Sequence, residues 1–119
     1  KKSVLMYQQA GVARENLILD PGLGFAKDYE ENMMVLASVG ALESLGYPLL
    51  VGASRKSFIG KTTQVSVADK RLAGSLAAAA WCALNSVAIV RVHDVLETRQ
   101  MLAMMEALME RTERPWMTK

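Results

Sequence analysis

Three short apolar runs, each followed by a longer stretch with helical spacing, dominate the pattern of hydrophobic and polar positions. The runs are Leu17–Leu19, Pro48–Gly52 and Ala88–Val92, and turn or loop residues follow each of them. Short runs that are apolar on both faces are typical of parallel strands covered on both sides. We therefore predict three strands of a parallel sheet that is buried on both faces.

The longer stretches predict helices at Tyr29–Leu45, Lys70–Leu84 and Val95–Arg111, and residues Val4–Ala10 indicate the end of an earlier helix. A polar loop is expected from the second strand to about Ala68. Parallel neighbours need right-handed crossovers, and helices of this length supply them. The α/β pattern of three such units makes up three eighths of a (β/α)8 barrel, but it also fits part of an open doubly wound sheet.

Capping residues mark the predicted helix ends. Asp69 is expected to cap the second helix, and Asp94 with Glu97 has the spacing of a capping box at the start of the third. At the carboxyl ends, three residues are expected to terminate helices: Gly11, Gly46 and Asn85.

Composition fits a single domain, or part of one, spanning residues 1–119. The chain is 51% hydrophobic, and 14 Lys and Arg residues against 12 Asp and Glu residues give a net charge of +2. The balance and the lack of a basic run argue against nucleic acid as a partner, and no apolar stretch reaches the ~20 residues of a membrane helix.

The single cysteine, Cys82, is expected to be a small buried hydrophobe in a cytoplasmic protein. Because the chain begins at Lys1 without an initiator Met, and its first residues already have a helical pattern, we expect a fragment or a cleaved product.

Functional groups in α/β folds gather at the carboxyl ends of strands, so the residues that follow each predicted strand are the candidates for binding. After the first strand, Asp20 can accept two N–H bonds from a flat, amidine-like ring edge, and Phe25 can cover a flat ligand. The alternative is that Asp20 only organises the turn at Pro21 and Gly22.

The loop after the second strand combines small, polar and basic residues. Gly52 allows close backbone approach, Ser54 is placed where backbone N–H groups favour anions, and Lys56 adds positive charge. The alternative is a solvated basic loop. The nearby segment Gly60–Thr62 looks like the end of a phosphate-binding loop, but that motif needs a glycine where this chain has Arg55.

Arg91 and His93 lie two residues apart at the end of the third strand, so they face the same side. Together they suit an anion such as phosphate. The alternative is a local hydrogen bond for His93 and a carboxylate partner for Arg91. We assign no metal ligand, since no second His or Cys lies near His93, and a Ser/His/Asp triad is disfavoured because His93 and Asp94 are sequence neighbours. The residues alone therefore predict a site for a phosphorylated or heteroaromatic ligand.

Four segments then carry a resemblance to a known family. They read LDPGxGFxK at 19–27, VGxSRKSFIG at 51–60, RLAGS at 71–75 and IVRVHDV at 89–95. In this order they resemble the carboxyl-terminal motifs of the dihydropteroate synthases, which are enzymes of the pterin-binding TIM-barrel family. The resemblance runs from about Gly11 to about Leu108, and the second and fourth segments together are highly specific.

The resemblance implies that the chain forms the last three βα units of a (β/α)8 TIM barrel. It implies a Mg²⁺-dependent reaction of folate biosynthesis, in which 6-hydroxymethyl-7,8-dihydropterin diphosphate and p-aminobenzoate give 7,8-dihydropteroate and diphosphate. Sulfonamides would compete for the p-aminobenzoate site.

The resemblance also implies which residues bind the two substrates. Asp20 would bind the pterin ring edge, and Phe25 would line the p-aminobenzoate pocket. Ser54 and its neighbouring amides, next to Gly52, would hold the p-aminobenzoate carboxylate. Lys56 would contact the pterin and help to shape the p-aminobenzoate pocket.

The catalytic residues implied in this way are Lys56, Arg91 and His93. Arg91 and His93 would hold the leaving diphosphate as negative charge develops on it. The family's earlier barrel strands have no counterpart in this sequence, and the Asn that binds Mg²⁺ is among the residues they carry, so the metal's protein ligand would lie outside the chain. We therefore expect the isolated chain to be inactive and to associate with itself or with the missing barrel half through its open sheet edges.

Two other interpretations stay open. The pterin-binding domain of a corrinoid-linked methyltransferase has a similar barrel, although groups such as Lys56, Arg91 and His93 serve p-aminobenzoate and diphosphate, which methyl transfer does not use. The second is a non-catalytic fragment that persists as an oligomeric structural or binding module.

Overall fold

A computed structural model describes residues 2–112, so Lys1 and the segment 113–119, which the predicted domain includes, lie outside the described residues. The helices are α1 (Lys2–Gln9), α2 (Tyr29–Ala37), α3 (Ser57–Thr63), α4 (Leu72–Leu84) and α5 (Val95–Met109). The strands are β1 (Leu50–Val51) and β2 (Ile89–Val90), and 3-10 turns occur at Arg14–Asn16, Val39–Leu45 and Ala68–Lys70.

β1 lies in the middle of three parallel chain segments. It pairs with β2 in the register Leu50 to Ile89, and Leu19 forms a parallel bridge with Leu49 on the other side. The backbone nitrogen of Arg91 extends the pairing of β1 with β2 by donating to the Val51 carbonyl at 2.9 Å. All three predicted strands therefore lie side by side in parallel. The paired stretches are shorter than the apolar runs because hydrophobicity reports burial rather than hydrogen bonding.

Only one face of the sheet is covered, so the prediction of burial on both faces is wrong for the described residues. Leu49 and Val51 are each 1% exposed and pack with Cys82 in the core beneath the helices. Strand side chains alternate between faces, and on the other face Ile18 and Ile89 are exposed. Three parallel segments are too few to curl around and cover their own inner face.

The helix predicted at Tyr29–Leu45 is divided into two elements. α2 ends at Ala37, and a 3-10 turn at Val39–Leu45 follows. Gly46, with φ of 77°, ends that turn in the left-handed conformation, as expected of a terminating glycine. The predicted polar loop after β1 also contains an unpredicted element, α3, because two of its residues, Phe58 and Ile59, are buried in the core.

Two of the predicted helix caps are wrong, and a third cap was missed. Asp69 lies in the turn before α4, and α4 begins at Leu72 without a side-chain cap. Asp94 occupies the position before α5, but its side chain caps nothing. The capping box is instead at α2, where the Asp28 carboxylate accepts from the Glu31 backbone nitrogen at 2.8 Å and the Glu31 side chain accepts from Asp28. The same D-x-x-E spacing therefore occurs twice and caps once.

Cys82 is 1% exposed, as predicted, and burial raises the pKa of its thiol to about 11. Across residues 2–112, the helices are all too short or too polar to span a membrane.

Candidate active site

The three parallel segments bring Asp20, Gly52 and Arg91 to one end of the sheet on its open face. Arg91 Nη1 lies 3.6 Å from Asp20 Oδ2, although β1 runs between the two segments that carry them. The guanidinium passes over Gly52, where a Cβ atom would overlap it. The close approach predicted at Gly52 is therefore made by the Arg91 side chain.

Asp20 has two contacts that use different oxygens. Its Oδ1 accepts from the Gly22 backbone nitrogen at 2.8 Å, and its Oδ2 faces Arg91. Turn organisation, the alternative considered for Asp20, is thus present. It leaves the second oxygen available to a ligand, since 38% of the side chain is exposed.

Ser54 and His93 contact each other across the loops that follow β1 and β2. Ser54 Oγ lies 2.8 Å from His93 Nδ1, and the same oxygen accepts from the His93 backbone nitrogen at 3.2 Å. Both local contacts considered as alternatives, for His93 and for Arg91, are therefore present. They leave the His93 Nε2 edge and much of the Arg91 guanidinium open, because His93 is exposed and so is 56% of the Arg91 side chain.

A cavity of about 240 Å³ opens between these loops, and most of the predicted anion-binding residues line it. Its lining residues are Gly52, Ser54, Lys56, Arg91, Val92 and His93. Two permanent cations and an imidazole around one small cavity suit an anion with several oxygen acceptors.

Lys56 also joins the cavity to the loop after the first segment. Its Nζ lies 4.7 Å from the centroid of the Phe25 ring, a cation–π contact, and Phe25 is 63% exposed. The stem of Lys56 passes so close to Gly24 that a Cβ there would lie 2.8 Å from Lys56 Cδ. The Gly24 backbone nitrogen is held by Oδ1 of Asn32, which is 4% exposed, at 2.8 Å. Sequence reasoning missed Asn32, since nothing in its local pattern separates it from a surface residue of α2.

The backbone of the loop after β1 is held in an uncommon conformation. Arg55 has φ of 58°, and its backbone nitrogen donates to Ser75 Oγ at 3.0 Å. Its guanidinium Nη2 lies 3.1 Å from Asp94 Oδ1. Asp94 therefore pairs with Arg55 and not with His93, which agrees with the exclusion of a Ser/His/Asp triad. Because it pairs with Arg55, the Asp94 carboxylate does not cap α5, contrary to the prediction.

Arg71 binds three backbone carbonyl groups of the same region. Its Nε donates to Val65 at 2.8 Å, Nη1 to Arg55 at 2.9 Å and Nη2 to Ser66 at 2.9 Å. A planar guanidinium with a fixed fork of donors is suited to this task. Apart from its place in the RLAGS segment, Arg71 gave no sequence signal of this role.

The described residues do not fit a magnesium site. In the part of the chain from residue 2 to residue 112, no three His, Cys, Asp or Glu side chains are grouped so that they could hold a metal ion. The Asp20 carboxylate, which lies beside the cavity, faces Arg91.

Comparisons with known proteins place the chain in one family. The family model described as pterin binding enzyme matches residues 1–93. Dihydropteroate synthase of Escherichia coli (strain K12) is 44% identical over 106 residues, which are 89% of this chain and 37% of the relative. The solved structure of the Xanthomonas albilineans enzyme in complex with 7,8-dihydropteroate has a TM-score of 0.88 at 36% identity, covering 91% of this chain and 41% of that one. That of the Yersinia pestis enzyme with a sulfonamide drug has a TM-score of 0.88 at 38% identity, covering 93% and 40%.

The chain spans about two fifths of the length of these relatives. Within that span the likeness holds in both sequence and fold, and the matched residues 1–93 include Asp20, the loop after β1 and the Arg91/His93 pair. The chain therefore belongs to the family of pterin-binding enzymes, and the relatives that it matches are dihydropteroate synthases.

Proposed function

We propose that this chain is the pterin- and diphosphate-binding part of a dihydropteroate synthase. The observation that carries the proposal is the placement of the Asp20 carboxylate beside the cationic cavity, with Arg91 in contact with both. A carboxylate next to an anion site is complementary to one molecule that has a donor-rich ring edge and a diphosphate. The pterin diphosphate has both.

In this proposal the chain supplies the last three βα units of a (β/α)8 barrel. The support is the set of three parallel segments, each followed by helix, and the likeness to solved dihydropteroate synthases of more than twice this length. The exposed side chains of Ile18 and Ile89 would then belong to the barrel interior, where side chains of other strands would cover them.

Asp20 orients the pterin by accepting N–H bonds from its ring edge through the oxygen that faces Arg91. Arg91 and His93 hold the diphosphate, and Lys56 contributes a further positive charge to the same cavity. The carbon–oxygen bond between the pterin methylene and the diphosphate breaks, and the bonding electrons leave with the diphosphate. Positive groups fixed around that leaving group stabilise the charge that develops on it.

The second substrate is p-aminobenzoate, whose amine attacks the methylene carbon and then loses a proton. Phe25 and Lys56 form its pocket, since Phe25 is exposed and its ring lies against the Lys56 ammonium. Support comes from the Yersinia pestis structure, which holds a sulfonamide, a class that we expect to compete here too. The Ser54 hydroxyl contacts His93, so we assign Ser54 to the diphosphate side of the site rather than to the p-aminobenzoate carboxylate.

The proposal uses no metal-dependent step, because the described residues offer Mg²⁺ no fitting set of ligands. It does include partners for the open sheet face: other strands of the barrel, or a second copy of the chain, would cover it. A cytoplasmic location remains a prediction from the single buried cysteine. No contact described here favours a corrinoid-linked methyltransferase.

Calorimetric titration of the chain with the pterin diphosphate tests the proposal. We expect binding that Asp20→Ala weakens about tenfold to a hundredfold, as expected for loss of hydrogen bonds to a charged group. Asp69→Ala, which removes an exposed carboxylate from the turn before α4, is the matched control and should leave affinity unchanged. A chain that is folded by circular dichroism and does not bind would instead favour the non-catalytic module.

A sulfonamide competition experiment separates the two catalytic interpretations. With the diphosphate product present, displacement of p-aminobenzoate by a sulfonamide supports the synthase. Pterin binding without any p-aminobenzoate or sulfonamide binding would point to the methyltransferase alternative.

A further inference from the structure

The Ser54 hydroxyl lies between two nitrogen atoms of the same residue, His93. Its oxygen is 3.2 Å from the His93 backbone nitrogen and 2.8 Å from the ring nitrogen Nδ1. Ser54 is 9% exposed, so its hydroxyl is largely shielded from water, although the His93 side chain is exposed. Among residues 2–112 the hydroxyl has no other hydrogen-bond partner.

The direction of both hydrogen bonds follows from the donors available. A backbone N–H can only donate, so the Ser54 oxygen accepts from the His93 main chain. The hydroxyl hydrogen then needs an acceptor, and Nδ1 is the only one within reach among the described residues. If Nδ1 carried a hydrogen instead, the Ser54 oxygen would accept twice, and its own hydrogen would have no acceptor among residues 2–112 at a nearly buried position, which costs free energy.

We infer that Ser54 is a positioning residue, which fixes His93 in the tautomer that carries its hydrogen on Nε2. Nδ1 is the acceptor of the Ser54 hydroxyl, and Nε2–H is left as a donor on the opposite edge of the ring. His93 lines the cavity with Arg91 and Lys56, so its contribution there is a directed hydrogen bond, while the two cations supply the charge. The inference rests on the proposed function only in naming diphosphate as the acceptor.

The chain offers a direct measurement because His93 is its only histidine. Uniformly ¹⁵N-labelled chain gives one set of imidazole signals in a long-range ¹H–¹⁵N correlation spectrum, recorded at alkaline pH where imidazole is neutral. We expect a pyrrole-type Nε2 and a pyridine-type Nδ1 that accepts a hydrogen bond, with a single tautomer populated. Ser54→Ala should shift the ring to a mixture of the two tautomers.

Two variants sharpen the comparison. Ser54→Thr keeps the hydroxyl and should restore the single tautomer, whereas a merely structural role for Ser54 would not distinguish Thr from Ala by this signal. Ser57→Ala removes a neighbouring exposed hydroxyl at the start of α3 and should leave the imidazole signals unchanged. A hydrogen on Nδ1 in the wild-type chain, or an unchanged tautomer in Ser54→Ala, would overturn the inference. If Ser54→Ala does not fold, the wild-type and Ser54→Thr spectra decide it.

Titration with inorganic diphosphate separates this inference from the proposed function. Ser54→Ala should bind diphosphate about threefold to tenfold more weakly than the wild-type chain, the effect of one misdirected hydrogen bond. A wild-type chain with the expected tautomer and no affinity for diphosphate would count against the proposed function and leave the positioning of His93 by Ser54 established. Tautomer mixing in Ser54→Ala with undiminished diphosphate affinity would overturn the role of that positioning in binding.

Discussion

Arg91 reaches Asp20 across a glycine. Its Nη1 atom lies 3.6 Å from Asp20 Oδ2, and the guanidinium occupies the space where Gly52 has no side chain. Both partners are well exposed, so the pair itself contributes little to stability. Its importance lies in placement, because it brings a carboxylate and a cation together where one ligand can engage both.

Gly52→Ala should displace Arg91 from this position. The new methyl group would overlap the guanidinium, which lies at the end of a flexible side chain and can move aside. We therefore expect inorganic diphosphate to bind roughly tenfold more weakly, through loss of one charge-assisted hydrogen bond. The free energy of unfolding should fall by about 1 kcal/mol or less, at the low end of the cost of overpacking. Calorimetry and urea denaturation measure the two quantities.

A double-mutant cycle identifies the cause of that effect. Arg91→Ala should weaken diphosphate binding at least as much, and adding Gly52→Ala to it should change neither affinity nor stability further. Additive losses would show that the methyl group acts on something other than Arg91. Gly40→Ala is the control, because its methyl group would overlap Asn85, outside the cavity.

Much of the site could be predicted from where polar residues follow apolar runs. Asp20 and Arg91 come directly after a parallel segment, Ser54 and Lys56 lie in the loop after β1, and parallel segments place their carboxyl ends together. The short motifs around them were enough to indicate the family. The contacts that join these residues could not be predicted from the sequence. Alternation along a strand indicates on which face of the sheet a side chain lies, but not which neighbouring side chain it contacts.

The helix ends show the limit of local patterns most clearly. The D-x-x-E spacing occurs at Asp28 and again at Asp94, and the sequence does not tell which one caps a helix. Asp94 has a competing partner, the Arg55 guanidinium, that becomes available only in the folded chain. Among residues 2–112 Asp28 has no such partner, and it caps α2. Tertiary contacts thus decided between two equal local signals.

Asp28→Ala should lower the free energy of unfolding by about 1 kcal/mol, the usual cost of losing an amino-terminal cap. The variant leaves the Glu31 backbone nitrogen without the acceptor it has at 2.8 Å. Asp69 was the cap predicted from the sequence. The free energy of unfolding of Asp69→Ala should stay within about 0.5 kcal/mol of the wild-type value. Guanidinium denaturation of the two variants provides the comparison, and equal losses would contradict the assignment of the capping box.

Arg71→Ala should destabilise the chain by about 2–4 kcal/mol, because three carbonyl groups lose a charged, partly buried donor. Arg71→Lys should recover only a small part of this loss, since one ammonium group cannot reproduce the fork of the guanidinium. Lys70→Ala, at the exposed position just before it, is the matched control and should change stability by less than about 0.5 kcal/mol. Full recovery by lysine would show that charge matters here and hydrogen-bond geometry does not.

Cys82 should make stability fall at high pH. Burial raises its pKa from 9.0 to about 11, so above pH 9.0 the thiol of the unfolded chain ionises while that of the folded chain keeps its proton. The unfolded state then binds fewer protons, and the free energy of unfolding declines as pH rises towards the folded value. Cys82→Ala removes the part of the pH dependence that comes from this thiol, and it keeps the part that comes from lysine and tyrosine side chains. Its denaturation midpoint should therefore fall less steeply than that of the wild-type chain from about pH 9 to about pH 11, whatever the cost of the smaller side chain. Parallel pH profiles for the two proteins would mean that the thiol ionises as easily in the folded chain as in the unfolded one.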